Sequence, residues 1–473
     1  MSEYPAIIFI TADQLRKDAL SCYGCKAVDT PHLDRLASQG VRFTRAYTNS
    51  PWCLPSRTTM LTGLYPHNHR AYSNFRDCQI GPDLPNMYQL LRQNGYRTHH
   101  IGKCHYAPVP YNQTRADTTL PYAEFRDYYV SLGIDHLDLQ DDKQVSVWFM
   151  DDYAQELKAA GYLEAYRAAV WNKEYGKVFA FPAPTQWHPD AWVGRKAVAA
   201  IENSPSNQPF FAWISFSGPH FPFDTPDAYL ERVHEEHIGT GAYYAGEFDA
   251  PDRIHHTSYH RRHGIEGAGA AGRPCKEHPD SYWRELRRRY FGNVALLDDM
   301  IDQISAAVEK RFGDNVLIIF TSDHGEMLGN HRLWGKNNCA YEDVLNVPLL
   351  VKYPAQLSGS ISDAAVMLVD LLPTILDVTG ISGPKMDGKP LAETMAQGGH
   401  TYTLAEGEGF VSISDGRFKL VRVIRPKGRF LEFFDLEKDP HEFHNLADHP
   451  AYAAARLRLQ HALIDLFLED MLP

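Results

Sequence analysis

Short runs of apolar and β-branched residues alternate along the chain with stretches whose apolar positions recur at helical spacing. "AIIFI" (6–10) is short and uniformly apolar and predicts a buried strand. "TPHLDRLASQG" (30–40) predicts a helix, with Thr30 as N-cap, Pro31 at the first helical position and Gly40 beyond the end. Strand "VRFTRAYT" follows it. Helix "NMYQLLRQNG" precedes strand "YRTHHI", and helix "DAWVGRKAVAAIEN" precedes strand "FFAWISFS". A long helical stretch from "SYWRELRRRYFG" to "EKRFG" leads into strand "NVLIIFTS". This alternation predicts an α/β fold with a large, mostly parallel mixed sheet flanked by helices.

Two stretches break the rhythm. Residues 104–190 have weak periodicity and many aromatic residues, prolines and aspartates, and 233–282 carries "HHTSYHRRHG" and "GAGAAG". Both read as long insertions on the sheet, serving as lids, binding loops or plain surface. After "AAVMLVDLLPTILDVTG" (364–380) the pattern changes. A Gly/Pro-rich linker, "ISGPKMDGKPL", is followed by alternating strands with a hairpin turn at Asp415-Gly416, then by an amphipathic helix, "AYAAARLRLQHALIDLFLEDM". The expected division is a catalytic domain over 1–380 and a small C-terminal subdomain of antiparallel sheet plus helix over 381–473. That helix has faces to pack within one chain or between copies, so a homo-oligomer is an option.

With 473 residues the chain is long enough for one large core and a smaller one. A net charge of −12 argues against general nucleic-acid binding but leaves room for a local cationic pocket. No apolar run of about 18 residues predicts a membrane span. The start, "MSEYPAIIFITADQL", lacks the basic and apolar regions of a signal peptide, so a cytoplasmic location is expected. Seven scattered cysteines do not form a disulfide framework. "CYGC" (22–25) has redox-motif spacing but no supporting context, and reads as packing.

In open α/β sheets ligands bind beyond the carboxyl ends of the strands. Asp13 and Gln14 follow the first strand. Lys103 and His105 follow "YRTHHI", His220 follows "FFAWISFS", and Asp323, His324 and Glu326 follow "VLIIF". One such group is an ordinary cap or turn; four strands delivering them imply a shared site. Asp13 and Asp323 are hard oxygen ligands and, with Gln14 and His324, suit Ca²⁺ or Mg²⁺, while the imidazole keeps Mn²⁺ or Zn²⁺ open.

"SPWCLPSR" (50–57) adds a cysteine at the start of a helical segment, with Arg57 one turn in. A helix start plus a guanidinium makes an anion site next to Cys53. A core cysteine needs no such arginine. A phosphatase thiolate requires an arginine at position 59, which is Thr. A thiol peptidase has no use for a hard-cation site. A fourth reading is that Cys53 is oxidised after synthesis.

Cys53-Leu54-Pro55-Ser56-Arg57 matches the C-x-P-S-R signature of type I sulfatases. The resemblance extends through "CLPSRTTMLTGLYPHNH", "TPHLDRLASQGVRFTRAY", "GYRTHHIGKCHY", "PHFPF", "TSDHGEMLGNHRLWGK" and "FFDLEKDPHEFHNLA", nearly the whole chain. It implies an alkaline-phosphatase-like fold and hydrolysis of a sulfate ester. It also implies that Cys53 becomes Cα-formylglycine, made by a maturation enzyme that reads Pro55 and Arg57. The hydrated aldehyde is a geminal diol: one oxygen attacks sulfur, the alcohol leaves, and the second hydroxyl then expels sulfate. By the matching motifs Asp13, Gln14, Asp323 and His324 hold one divalent cation with residue 53, Ca²⁺ first, with Mg²⁺ or Mn²⁺ as alternatives. Arg57 steadies the hydrate, and Lys103 and Lys336 clamp sulfate oxygens. His105 orients the hydrate or acts as base in elimination, and His220 protonates the leaving oxygen.

Departures from the usual pattern matter. Asp13-Gln14 and Asp323-His324 stand where many sulfatases carry Asp-Asp and Asp-Asn. These variants resemble the choline-sulfatase, iduronate-sulfatase and phosphonate-monoester-hydrolase branches. Retention of Pro55-Ser56 and of Lys103 and His105 favours sulfate. The substrate expected is a small organic or carbohydrate sulfate. A phosphonate or phosphodiester hydrolase with the same nucleophile is the alternative, and a non-catalytic binding protein is the third reading. Residues of the two long insertions, together with those of "HNHR" (67–70) and "YSNF" (72–75), are expected on the leaving-group side.

Overall fold

A computed structural model describes residues 4–74, 78–107, 122–143, 149–172, 177–247, 278–336, 339–356, 358–425 and 428–469. The first sheet contains β1 (Ala6–Asp13), β2 (Val41–Tyr47), β3 (Arg97–Gly102), β4 (His136–Leu139), β5 (Phe210–Pro219), β6 (Val316–Ser322), β7 (Asn346–Lys352), β8 (Ser360–Ser362) and β9 (Val366–Met367). The strand order is β4-β3-β5-β1-β6-β7-β2-β8, with β9 also on β2. From β4 to β6 every pairing is parallel, and β7 alone runs against its neighbours β6 and β2. This is the mostly parallel mixed sheet that the alternation predicts.

The sheet is buried on both faces, which is why its strands read as unbroken apolar runs. Ile8 and Ile10 of β1, Ala212 and Ile214 of β5 and Ile318 and Phe320 of β6 pack with the helices Pro189–Glu202 and Asp280–Phe312. Ile7, Phe9, Phe211, Trp213, Leu317 and Ile319 face the other way, against the helices Met87–Gln93 and Leu371–Thr379. The two-residue period of the strands sorts one run of residues into two cores.

Helix α1 (Pro31–Gln39) has the predicted limits, but Thr30 is not its side-chain cap. Thr30 Oγ1 is taken by Ser21, and the exposed N–H groups of His32 and Leu33 donate to Asp298 of the long helix (3.2 and 2.9 Å). A cap supplied from so far along the chain leaves no local signature.

Residues 104–190 differ from the loop-like insertion expected. They supply strand β4 at the edge of the sheet and the helices Tyr122–Ser131, Asp152–Ala159 and Leu163–Trp171. β4 is only four residues long, and its edge positions carry His136 and Asp138, so no apolar run announces it. "HHTSYHRRHG" and "GAGAAG" lie outside the described residues.

The C-terminal sheet is a four-stranded antiparallel meander: β10 (Thr403–Gly407), β11 (Phe410–Ser414), β12 (Phe418–Arg425) and β13 (Gly428–Asp435). Asp415 and Gly416 turn between β11 and β12 as predicted; the Asp415 carboxylate accepts from the N–H groups of Arg417 and Phe418. One face packs Val421, Val423 and Phe434 against Tyr47, Leu345 and Met367 of the main body. The other packs Leu420 and Phe433 against Leu459 and Leu463 of the final helix, Ala453–Glu469. Among the described residues no helix is long and apolar enough to cross a membrane.

Candidate active site

The parallel strands end at a common edge. Ala12 of β1 pairs with Ser322 of β6, Gly102 of β3 pairs with Ser215 of β5 and Leu139 of β4, and Asp13 aligns with Pro219. The residues just beyond these positions therefore converge, as the rule for open sheets requires. A register shift between Ala12 and Asp13 ends the regular pairing there. Bulges of this kind re-aim a side chain beside a site. Gly102 has φ +100°, and a Cβ there would lie 2.0 Å from Ser215 O, so only glycine lets β3 approach β5 immediately before Lys103.

β2 leads into α2 (Cys53–Thr62), every residue of which is buried. Cys53 is its first helical residue, fully enclosed. Lys336 Nζ lies 2.9 Å from Cys53 Sγ, His324 Nε2 3.1 Å, Lys103 Nζ 3.8 Å and Asp13 Oδ1 3.9 Å. Arg57, one turn on, is spent entirely on its neighbours. Its Nε donates to Asp323 Oδ2 (2.8 Å), Nη2 to Asp13 Oδ2 (3.2 Å), and Nη1 to Ser215 Oγ (2.7 Å) and Lys103 O (2.9 Å). Burying a guanidinium this way is tolerable because its donors meet carboxylates, a hydroxyl and a carbonyl.

Ligand atoms of Asp13, Cys53, Asp323 and His324 all lie within 4.8 Å of one another. Two buried carboxylates and a buried imidazole fit a divalent cation by donor chemistry. Gln14 stands beside them in left-handed backbone (φ 64°), its N–H donating to Asp323 Oδ1 (3.1 Å).

Electrostatics divide the groups. Burial pushes the Cys53 thiol up, but Lys103, Lys336 and His324 outweigh it and hold its pKa well below the usual thiol range. Burial and Cys53 push the Asp13 carboxyl up, yet Lys103, His220 and Arg57 hold it well down. Burial and the charge of Asp13 raise Asp323. Burial would lower His324; Asp323 and Cys53 raise it instead. His220 is lowered by burial and then by Lys336. Its Nε2 is 2.9 Å from Lys336 Nζ and its Nδ1 2.6 Å from Phe221 O. An ammonium only donates and a carbonyl only accepts, so the ring proton sits on Nδ1 and Nε2 is an acceptor.

All the sequence-predicted residues gather here, His105 among them. Its backbone N–H donates to Asp141 Oδ1 (2.7 Å), and its ring lies close enough to Cys53 to favour the thiolate. Two further residues, Asp142 and Ser215, were not singled out from the sequence, and Glu326 was placed after β6 without a role. Asp142, past β4, holds Lys103 Nζ at 2.7 Å opposite Asp13 Oδ2 at 2.5 Å. Ser215 anchors Arg57, and Glu326 accepts from Gln14 Nε2. Of the residues expected near the leaving group, Asn74 accepts from the Leu54 N–H (3.0 Å), whereas His67 pairs with Glu406 and His69 with Thr59.

A family model described as "Sulfatase" matches residues 5–381, most of the chain. The chain belongs to the sulfatase family. A second model, "N-sulphoglucosamine sulphohydrolase, C-terminal", matches residues 329–469. The sulfatase is 28% identical to the multifunctional alkaline phosphatase superfamily protein PehA of Trinickia caryophylli, over 95% of this chain and 92% of that protein. It is 27% identical to a choline-sulfatase of Rhizobium meliloti, over 94% and 83%. Its fold superposes on the crystal structure of a phosphonate monoester hydrolase of Agrobacterium radiobacter with a TM-score of 0.79, at 25% identity, covering 98% of this chain and 96% of the other. The choline-sulfatase and the phosphonate monoester hydrolase are among the branches that the Asp-Gln and Asp-His variants point to. The sulfatase is a sulfuric ester hydrolase.

Proposed function

We propose that the enzyme hydrolyses a small organic or carbohydrate sulfate monoester, with residue 53 matured to Cα-formylglycine beside a divalent cation. The observation that carries this reading is the crowding of one side-chain atom: two ammonium groups, an imidazole and a carboxylate lie within 3.9 Å of Cys53 Sγ. A resting structural thiol gains nothing from such a setting, whereas an oxygen nucleophile and a sulfuryl group that gathers negative charge gain a great deal. Once hydrated, residue 53 supplies an attacking oxygen and a second hydroxyl whose deprotonation expels sulfate. A cation held by Asp13, Gln14, Asp323 and His324, Ca²⁺ or alternatively Mg²⁺ or Mn²⁺, would favour the ionised form of the attacking oxygen.

The chain's own groups do the rest. Arg57 binds Asp13 and Asp323 and keeps their oxygens turned towards residue 53. Lys103 and Lys336 stand on two sides of the position where the sulfuryl oxygens sit. His220, whose Nε2 accepts from Lys336, takes a proton from that ammonium at Nε2 and gives it up from the same nitrogen to the departing alcohol oxygen, leaving Nδ1–H on the Phe221 carbonyl. His105, whose ring lies beside residue 53, takes the proton of the second hydroxyl. Peptide mass spectrometry across residue 53 tests the nucleophile, with an expected loss of about 18 Da relative to cysteine.

A second reading, hydrolysis of a phosphonate monoester or phosphodiester, is favoured by the Asp-Gln and Asp-His pairs and by the TM-score of 0.79 to the phosphonate monoester hydrolase. Relative kcat/KM on a matched aryl sulfate and aryl phosphonate monoester separates the two. The first reading expects sulfate preference; preference for the phosphonate by orders of magnitude overturns it.

A further inference from the structure

The Gln14 side-chain amide sits between two groups that cannot exchange roles. Its Nε2 donates to Glu326 Oε2, and its Oε1 accepts from Lys336 Nζ (3.3 Å). A carboxylate accepts and an ammonium donates, so the amide has a single satisfied orientation. Gln14 and Glu326 are fully buried, where no water repairs a flipped amide. The other oxygen, Glu326 Oε1, accepts from the backbone N–H groups of Leu328 (3.0 Å) and Gly335. Glu326 thus closes the loop that ends at Lys336 while holding Gln14. Because Lys336 Nζ is also 2.9 Å from Cys53 Sγ, the Gln14 oxygen is kept on the side of the Asp13–Asp323–His324 centre.

We propose that Glu326 is a positioning residue for the cation: it makes Gln14 present its amide oxygen, not its nitrogen, to the ion. This rests on the reading of Gln14 as a metal ligand. The Glu326→Gln variant is diagnostic because its shape is unchanged. The oxygen of the new amide must still face the Leu328 and Gly335 N–H groups, so its NH₂ faces Gln14. Gln14 then turns its oxygen outwards to accept, and its NH₂, which has no lone pair to give, faces the ion. Adding Gln14→Glu repairs the fault. One oxygen of the introduced carboxylate accepts from the NH₂ now at position 326 while the other faces the centre.

The full-length enzyme, stripped with chelator, is titrated with Ca²⁺ alone and separately with Mn²⁺ by isothermal titration calorimetry, with circular dichroism as a check on folding. E326Q is expected to weaken binding about 10–100-fold, the usual consequence of losing a group that orients a ligand. Q14E/E326Q is expected to return to within a few-fold of the wild type. Wild-type affinity in E326Q, or a double variant that binds no better than E326Q, overturns the proposal. If E326Q does not fold, the same comparison is read between Q14E, which sets two carboxylates against each other, and Q14E/E326Q. The second substitution must then tighten binding by about the same 10–100-fold. A wild-type chain that binds neither cation overturns the metal reading itself, which distinguishes that failure from the failure of Glu326 alone.

Discussion

Two buried clusters of lysine, aspartate and histidine lie side by side in the chain, and only one of them surrounds a nucleophile. Asp142 and Lys143 are neighbours that point into different clusters. Asp142 binds Lys103 beside Cys53. Lys143 Nζ binds Asp224 Oδ1 (2.7 Å), which also meets His188 Nε2 (3.3 Å), while Tyr166 donates to Asp224 Oδ2 (2.7 Å). Asp190, near Lys143, accepts from the N–H of Gly218, two residues before His220. In this second cluster Asp224, pushed up by burial, is held down by Lys143 and His188, so its charges close on themselves. Around Cys53, Arg57 and Lys103 are likewise held by Asp13, Asp142 and Asp323, but Lys103 and Lys336 also both approach one sulfur atom. Residue types do not distinguish the clusters; cations gathered on a single reactive side chain do.

The comparison breaks most sharply at residue 53. Cys53→Ala is expected to lower multiple-turnover kcat by about 10⁵-fold or more, because it removes the nucleophile outright. Cys53→Ser is expected to stop after one event and retain covalent sulfate, visible by intact mass, since it has no second hydroxyl. Ordinary steady-state turnover by either variant sinks the proposed mechanism.

Asp224→Asn strikes the other cluster. It leaves Lys143 buried beside a neutral amide and is expected to cost about 3–5 kcal/mol of stability. Chemical denaturation reads that loss, and kcat of the folded fraction is expected to change little. Lys336→Ala gives the opposite profile: kcat down about 10²–10³-fold with the denaturation midpoint nearly unmoved. If both variants lose stability equally and activity equally, the distinction between the clusters collapses.

The effect with the smallest contribution per residue is one of pH. His69 and His100 are enclosed histidines, each driven by burial down to a pKa of about 3. The unfolded chain takes up these protons near pH 6.5 and the folded chain does not. Stability is therefore flat above about pH 6.5 and falls as pH drops towards 3, by about 2 kcal/mol per histidine at pH 5. Urea midpoints between pH 7 and 5 test this. A midpoint that rises on acidification contradicts it.

Much of this site was readable before any coordinates, for a physical reason. Strands buried on both faces leave apolar runs, and whatever polar residue follows such a run lies at the sheet's carboxyl edge; that located Asp13, Lys103, His220 and Asp323. Asp142 escaped because β4 is four residues long and half-exposed, so nothing apolar precedes it. Ser215 escaped because it sits inside a strand, where its hydroxyl looks like any other interior position. Glu326 was visible beside His324, but its partner Gln14 is far away in sequence, and only the fold brings them together. Thr30 stands at the N-cap position that the sequence predicts, but its side chain does not do the capping, because Asp298 meets those N–H groups from another helix.

The enclosure of α2 also fixes an order of events. Cys53, Pro55 and Arg57 are buried in the folded chain. Any catalyst that reads this short address must do so while the segment is still extended and free, before β2 has been joined to the sheet and Arg57 has been claimed by Asp13 and Asp323. On the proposed maturation, chemical conversion of residue 53 and completion of the fold would be competing clocks. A chain that folds first keeps its thiol, locked away from the catalyst that would have changed it.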